Sequence, residues 1–167
     1  METTRKIFNN SHFSSRFGHG GILAQGKRKS RRPLSMNKPM LVSLTTAPLQ
    51  SRYHLQERRN SAYIREILQR QAKKFEIQLL EEKISFGSLE LMLRVKQREQ
   101  FQQFLRSVTA LIARKISGAR KGHKFGKFWL GLAYSLVIRG RESFQELLST
   151  LKSWIEERRA LEPFLRL

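Results

Sequence analysis

The stretch FGSLELMLRV, Phe86 to Val95, decides how the rest of the chain folds. Its residues alternate. Leu89, Leu91, Leu93 and Val95 share one side of an extended backbone, and Ser88, Glu90, Met92 and Arg94 share the other, because successive strand side chains point to opposite faces. The first row predicts a face buried against helices. The second sets a hydroxyl and a carboxylate on one face, ahead of a long basic helix. That pair is a site, the remnant of a site, or a strand's wet side with Glu90 paired to Arg94 or to a helix cation.

Immediately upstream, EIQLLEEKI (Glu76 to Ile84) reads as the partner strand, joined through a turn at Phe86–Gly87. Before it, NSAYIREILQRQAKKF (Asn60 to Phe75) is a helix, with Asn60 or Ser61 as its cap and Ile64, Ile67, Leu68, Ala72 and Phe75 as its apolar stripe. PMLVSLTT (Pro39 to Thr46) is a further strand, with Met40, Val42 and Leu44 on one face. Downstream, Gln97 to Ser117 places Phe101, Phe104, Leu105, Val108, Ile112 and Ile116 three and four residues apart, a helix that Gly118 ends. A basic loop follows to Lys127. FWLGLAYSLVIR (Phe128 to Arg139) reads as one or two short strands broken near Gly131, and Ser143 to Arg159 as a last helix.

The order strand, helix, strand, strand, helix, strand is the split βαβ arrangement of a ferredoxin-like domain. The expected class is therefore α+β: an antiparallel sheet with two helices on one face and the added C-terminal helix over part of the other. Residues 1–38 form a Gly-, Ser- and Arg-rich arm that orders on a polyanion, residues 39–160 the domain, and residues 161–167 a short tail.

Charge is the strongest global fact. The 167 residues carry 33 Lys+Arg against 13 Asp+Glu, a formal +20, and every acid is Glu. Such a field attracts polyanions and repels itself without one. From Arg94 to Lys127 there are ten bases and one acid, and from Gly26 to Lys38 six bases and none. Clustering of this kind suits a phosphate backbone, with salt-sensitive and weakly base-selective affinity. The candidate contacts are Lys27, Arg28, Lys29, Arg31 and Arg32 in the arm, Arg114 and Lys115 at the helix end, and Arg120, Lys121, His123, Lys124 and Lys127 in the loop. Phe125, Phe128 and Trp129 lie among the loop cations, where aromatics can stack on unpaired bases. Phe128 and Trp129 read rather as core residues at a strand start.

The chain has no Cys, so disulfides and thiolate metal sites are excluded. No apolar run approaches the ~20 residues a membrane helix needs, and METTRKIFNNSHFSS lacks the core of a secretory signal. The expected location is the cytoplasm, in association with nucleoid or ribosome. A membrane-surface role ranks last, because the helices carry core-like stripes. There is no G-x-S-x-G elbow, and no P-loop lysine follows Gly18 to Gly21.

GHGGILAQGKRKSRRPLSMNKPMLVSL (Gly18 to Leu44) and FLRSVTALIARKISGARKGHKFGKFWLGLAYS (Phe104 to Ser135) resemble bacterial REP-associated tyrosine transposases, of the HUH single-strand DNA transposases. The resemblance spans roughly Gly18 to Arg159. It implies a ferredoxin-like fold, single-stranded or hairpin DNA as ligand, and tyrosine-mediated strand cleavage. It also implies a His–hydrophobe–His metal motif on the strand quoted above, where this chain has Ser88–Leu89–Glu90, and a nucleophilic Tyr on the last helix, where Ser143 to Arg159 has none. Tyr134 falls on a non-catalytic family position, and Tyr63 opens the first helix. The expectation is a DNA-binding relative that has lost its chemistry, with no metal; Mg²⁺ or Mn²⁺ enters only if activity is retained. The alternatives are an RNA- or ribosome-binding derivative and an active transposase with an atypical site. A monomer is slightly favoured.

Overall fold

A computed structural model of the chain describes residues 18–20, 32–36, 38–47, 54–119 and 126–138. The alternation in residues 88–94 forms a strand because its apolar row, Leu89, Leu91 and Leu93, has helices to pack against. The described elements run β1 (Gly18–His19), β2 (Met40–Thr45), α1 (Arg58–Lys74), β3 (Gln78–Ile84), β4 (Ser88–Arg94), α2 (Arg98–Ser117) and β5 (Tyr134–Val137). The sheet order is β1-β5-β2-β4-β3, with each neighbouring pair antiparallel. From β2 to β5 this is the ferredoxin-like order expected from the sequence, in an α+β fold.

Register fixes the faces. Met40, Val42 and Leu44 on β2 stand opposite Leu93, Leu91 and Leu89 on β4, and all six are buried in one core with Ile64, Leu68, Phe101, Phe104, Val108 and Ile112 of the helices. The helix stripes therefore do what their three- and four-residue spacing predicts. Each fully buried Phe or Leu contributes about 1.5–3 kcal/mol relative to exposure. The helices run antiparallel, tied where Ser107 Oγ in the middle of α2 donates to Gln71 Oε1 in the last turn of α1 at 2.8 Å. Gly118 closes α2 in the left-handed conformation at φ 69°, its N–H donating to Arg114 O, as a C-terminal glycine cap does.

Edge strand β3 carries Glu81, Glu82 and Lys83 and an irregular register between Leu79 and Glu81, both of which discourage a further strand from adding there. At the other end of the sheet, Trp129 bridges to Thr46, and Leu130 N–H donates to Thr45 O at 2.7 Å. The predicted break in the segment after the loop is thus real: one bridge at Trp129, then strand β5 from Tyr134.

Two features depart from the sequence reading. Gly18–His19 and Arg32–Leu34 lie ahead of residue 39, yet the first pair adds a strand to β5 and Leu34 packs on the core. Gly20 makes that approach possible: its φ is +90°, and a Cβ there would sit 2.2 Å from Ala133 O. The second departure is the polar row of β4. Met92 and Glu90 are buried, as are Leu41, Leu136 and Ile138 on the same face of the sheet. This face is no wet side. The last predicted helix, Ser143 to Arg159, lies outside the described residues, as does most of the arm.

Candidate functional site

The face away from the helices holds one line of polar side chains across four strands. Tyr134 on β5 is the register partner of Ser43 on β2, Ser43 of Glu90 on β4, and Glu90 of Lys83 on β3. Ser43 and Glu90 are buried. Lys83 Nζ lies 3.7 Å from Glu90 Oε2, with side-chain exposures of 13% and 6%. Burial pushes the Glu90 carboxyl above its ordinary value, and the Lys83 ammonium opposes that shift without cancelling it. Burial likewise raises the Tyr134 phenol. Desolvation penalises the charged form in both cases.

Glu90 is thus paired neither to Arg94 nor to a helix cation, as the sequence suggested, but to its neighbour on the edge strand. Counting outward from the Phe86–Gly87 turn pairs Ile84 with Leu89 and Lys83 with Glu90, so the partner was open to a register argument. Ser88, the other member of the quoted pair, is half-buried at the hairpin end, where its carbonyl accepts from Ser85 N–H at 2.8 Å. The two do not converge on a common point with any imidazole of the described residues. Among the described residues there is no group of three or more His, Cys, Asp or Glu able to hold a metal ion. The donors at these strand positions, one carboxylate opposite an ammonium and two hydroxyls, do not fit a divalent-cation cage, which prefers several anionic or imidazole ligands.

The predicted nucleic-acid contacts divide. Arg32 turns inward. Its guanidinium donates to Ser135 Oγ and to Ala133 O, lies 6.0 Å from the Phe101 ring centroid, and is held below its ordinary pKa by burial. Arg98 in turn donates to Arg32 O at 3.0 Å. Arg32 is therefore a clamp between arm and sheet, its charge spent inside the protein. Arg114, Lys115 and Lys127 are exposed. Phe128 is in the core, and Trp129 Nε1–H donates to Thr109 O at 2.9 Å, as their structural reading expects. Lys27, Arg28, Lys29, Arg31, Arg120, Lys121, His123 and Lys124 lie outside the described residues.

Sequence reasoning considered Tyr63 only as a nucleophile, on the wrong helix for that role. It sits on the outer side of the helix layer, where the start of α1 meets the end of α2. Lys115 Nζ is 4.3 Å from its ring centroid, and Arg59 Nε–H donates to its hydroxyl at 3.3 Å. Those cations lower the phenol's pKa, the Arg59 hydrogen bond most of all. A groove of about 610 Å³ opens here between the helices, lined by Tyr63, Arg70, Arg114 and Lys115 with Glu66 as its one acid.

No protein-family model and no curated protein matches the sequence. Among solved structures the chain is similar to a REP-associated tyrosine transposase bound to a REP hairpin, with a TM-score of 0.59 and 7% identity over 74% of this chain and 70% of that one. A protein of Deinococcus radiodurans R1, provisionally assigned as a transposase, aligns over 78% of this chain and 96% of its own at 16% identity and a TM-score of 0.46. The fold is transposase-like. Among the described residues no helix is long and apolar enough to cross a membrane.

Proposed function

We propose that this protein binds single-stranded or hairpin DNA and does not cut it. The observation that carries the reading is the buried Lys83–Glu90 pair. At the strand positions where the resemblance implies two metal-binding imidazoles, the chain places a serine and a carboxylate whose charge is met by an ammonium. Phosphodiester cleavage by a phenol needs an activated nucleophile and charge stabilisation beside the phosphate. Tyr134, in the same row, has its phenol held protonated by burial. Tyr63 faces the other side of the molecule.

Binding is supported separately. The formal charge of +20, concentrated around the end of α2 and the loop that follows, suits a polyanion. The similar fold of a hairpin-bound transposase makes hairpin DNA the natural first ligand to test.

The test is fluorescence anisotropy with a tailed, REP-like DNA hairpin, a blunt duplex and an RNA hairpin of the same sequence, each across a salt series. Preference for the tailed DNA hairpin, with log affinity falling linearly against log salt, is the expected result. Equal and salt-insensitive binding to all three overturns it. Incubation of end-labelled hairpin with Mg²⁺ or Mn²⁺ leaves no covalent adduct on this reading; an adduct at any residue overturns the non-cleaving half.

A further inference from the structure

We propose that the groove between the start of α1 and the end of α2 is a binding site for an unpaired nucleotide, with Tyr63 stacking the base and Arg70, Arg114 and Lys115 receiving the flanking phosphates. This rests on the DNA-binding reading and gives it a location, on the helix layer and away from the sheet.

Three observations converge. The first is composition at the groove: three cations and one acid line it, and although Glu66 Oε1 lies 3.9 Å from Arg70 Nη1, the lining keeps a net positive charge. The second is the aromatic. Tyr63 is half-exposed on a helix whose other large apolar residues are buried, with Arg59 and Lys115 at 5.8 and 4.3 Å from its ring centroid. A ring already attractive to cations on an open surface is the platform on which single-stranded bases stack, since every base has a π face.

The third is the charge on α1 itself. Helix N-termini favour acids; α1 has Glu57 at its N-cap but no acid in its first turn, which begins with Arg58 and Arg59. The contrast with α2 is informative. There Glu99 sits in the first turn and Arg114 and Lys115 in the last, as the helix dipole prefers. The bases of α2 alone would be explained by helix stability. Those at the start of α1 do not serve it, and Arg59 meets Tyr63 at the groove's edge. An anion bound there relieves the mutual repulsion of the cations.

The groove's volume of about 610 Å³ lies within the ~300–1,000 Å³ range of small-molecule sites, enough for one nucleotide and its neighbours' phosphates.

The experiment compares two double charge reversals that change net charge equally: Arg114→Glu/Lys115→Glu in the groove, and Lys73→Glu/Lys74→Glu at the far end of α1. Anisotropy with the tailed hairpin is read across salt, and thermal melts confirm folding. The groove variant should lose at least about tenfold in affinity and flatten the salt slope by roughly 1.4, the value for two single-strand phosphate contacts. The far-end variant should move the slope by much less. Tyr63→Leu should cost about tenfold and Tyr63→Phe far less, because stacking needs the ring. As a check independent of folding, hydrogen exchange of the wild-type complex should slow at the start of α1 and the end of α2. Equal losses from the two reversals, or Leu and Phe behaving alike, or no slowing there, overturns the groove while leaving DNA binding intact. Wild-type protein that ignores the oligonucleotides but sediments with phosphatidylserine vesicles overturns both.

Discussion

Lys83 stands directly opposite Glu90 in the β3–β4 register, its ammonium 3.7 Å from the carboxylate, with both side chains largely out of water. The pair is close enough to neutralise the acid and too long for a hydrogen bond to Oε2, which accepts none among the described residues. Its value to the fold is therefore conditional on both members being present. Lys83→Met should strand a buried carboxylate and cost about 3–5 kcal/mol, whereas Lys83→Met/Glu90→Leu should return to near wild-type stability or exceed it. Urea denaturation of the two variants measures the difference.

The same carboxyl sets a pH signature. Its folded pKa lies above the unfolded value of about 4.3, because burial outweighs Lys83. The folded state then holds the proton longer than the unfolded state. The stability from this group is fully present below the unfolded pKa and is lost as pH rises through the raised folded value. Glu82 is shifted the same way by burial. The difference in unfolding free energy between wild type and Glu90→Gln, measured from pH 4 upward, should therefore swing in favour of the variant as pH rises. A flat difference curve would refute the assignment.

Arg32 separates structural from ligand-facing charge. Arg32→Ala removes the bonds to Ser135 and Ala133 and the cover over Phe101. It should destabilise the fold by about 1–3 kcal/mol and leave the salt slope of DNA binding unchanged. A thermal melt and a salt titration on one preparation check both.

Two glycines with positive φ should respond differently to alanine. At Gly118 nothing lies within 4 Å of a new Cβ, so Gly118→Ala costs only the left-handed backbone penalty, about 1–2 kcal/mol. At Gly20 the Cβ would meet Ala133 O at 2.2 Å. Gly20→Ala should detach β1, seen as fast amide exchange at Ser135, the β5 residue paired with His19, while Leu136, paired with Leu41 of β2, and the helices remain protected.

Much of this fold was legible because its residues obey one period at a time. The leucine row of β4 and the stripes of α1 and α2 are buried as their spacing requires, and Gly118 ends α2 where the chain says it should. What escaped the sequence was long-range. The other row of β4 looked polar because Ser88, Glu90 and Arg94 alternate along it, yet Met92 is fully buried there and Leu41 and Leu136 share its face. Arg32 looked like one more base in a charged arm; only its placement against Ser135 reveals its role. Tyr63 was weighed only as a nucleophile and set aside for lying on the first helix instead of the last; that its ring faces Lys115 on α2 is a contact one helix's sequence cannot show.

The pairing of Gly18–His19 with β5 has a practical consequence for anyone shortening the chain. A fragment begun at the first long strand would leave the backbone amide and carbonyl of Ser135 bare, and the sheet would offer that open border to its own copies. The short N-terminal strand works as a guard rail against self-association. Trimming it as dispensable would open a pairing edge that the full chain covers.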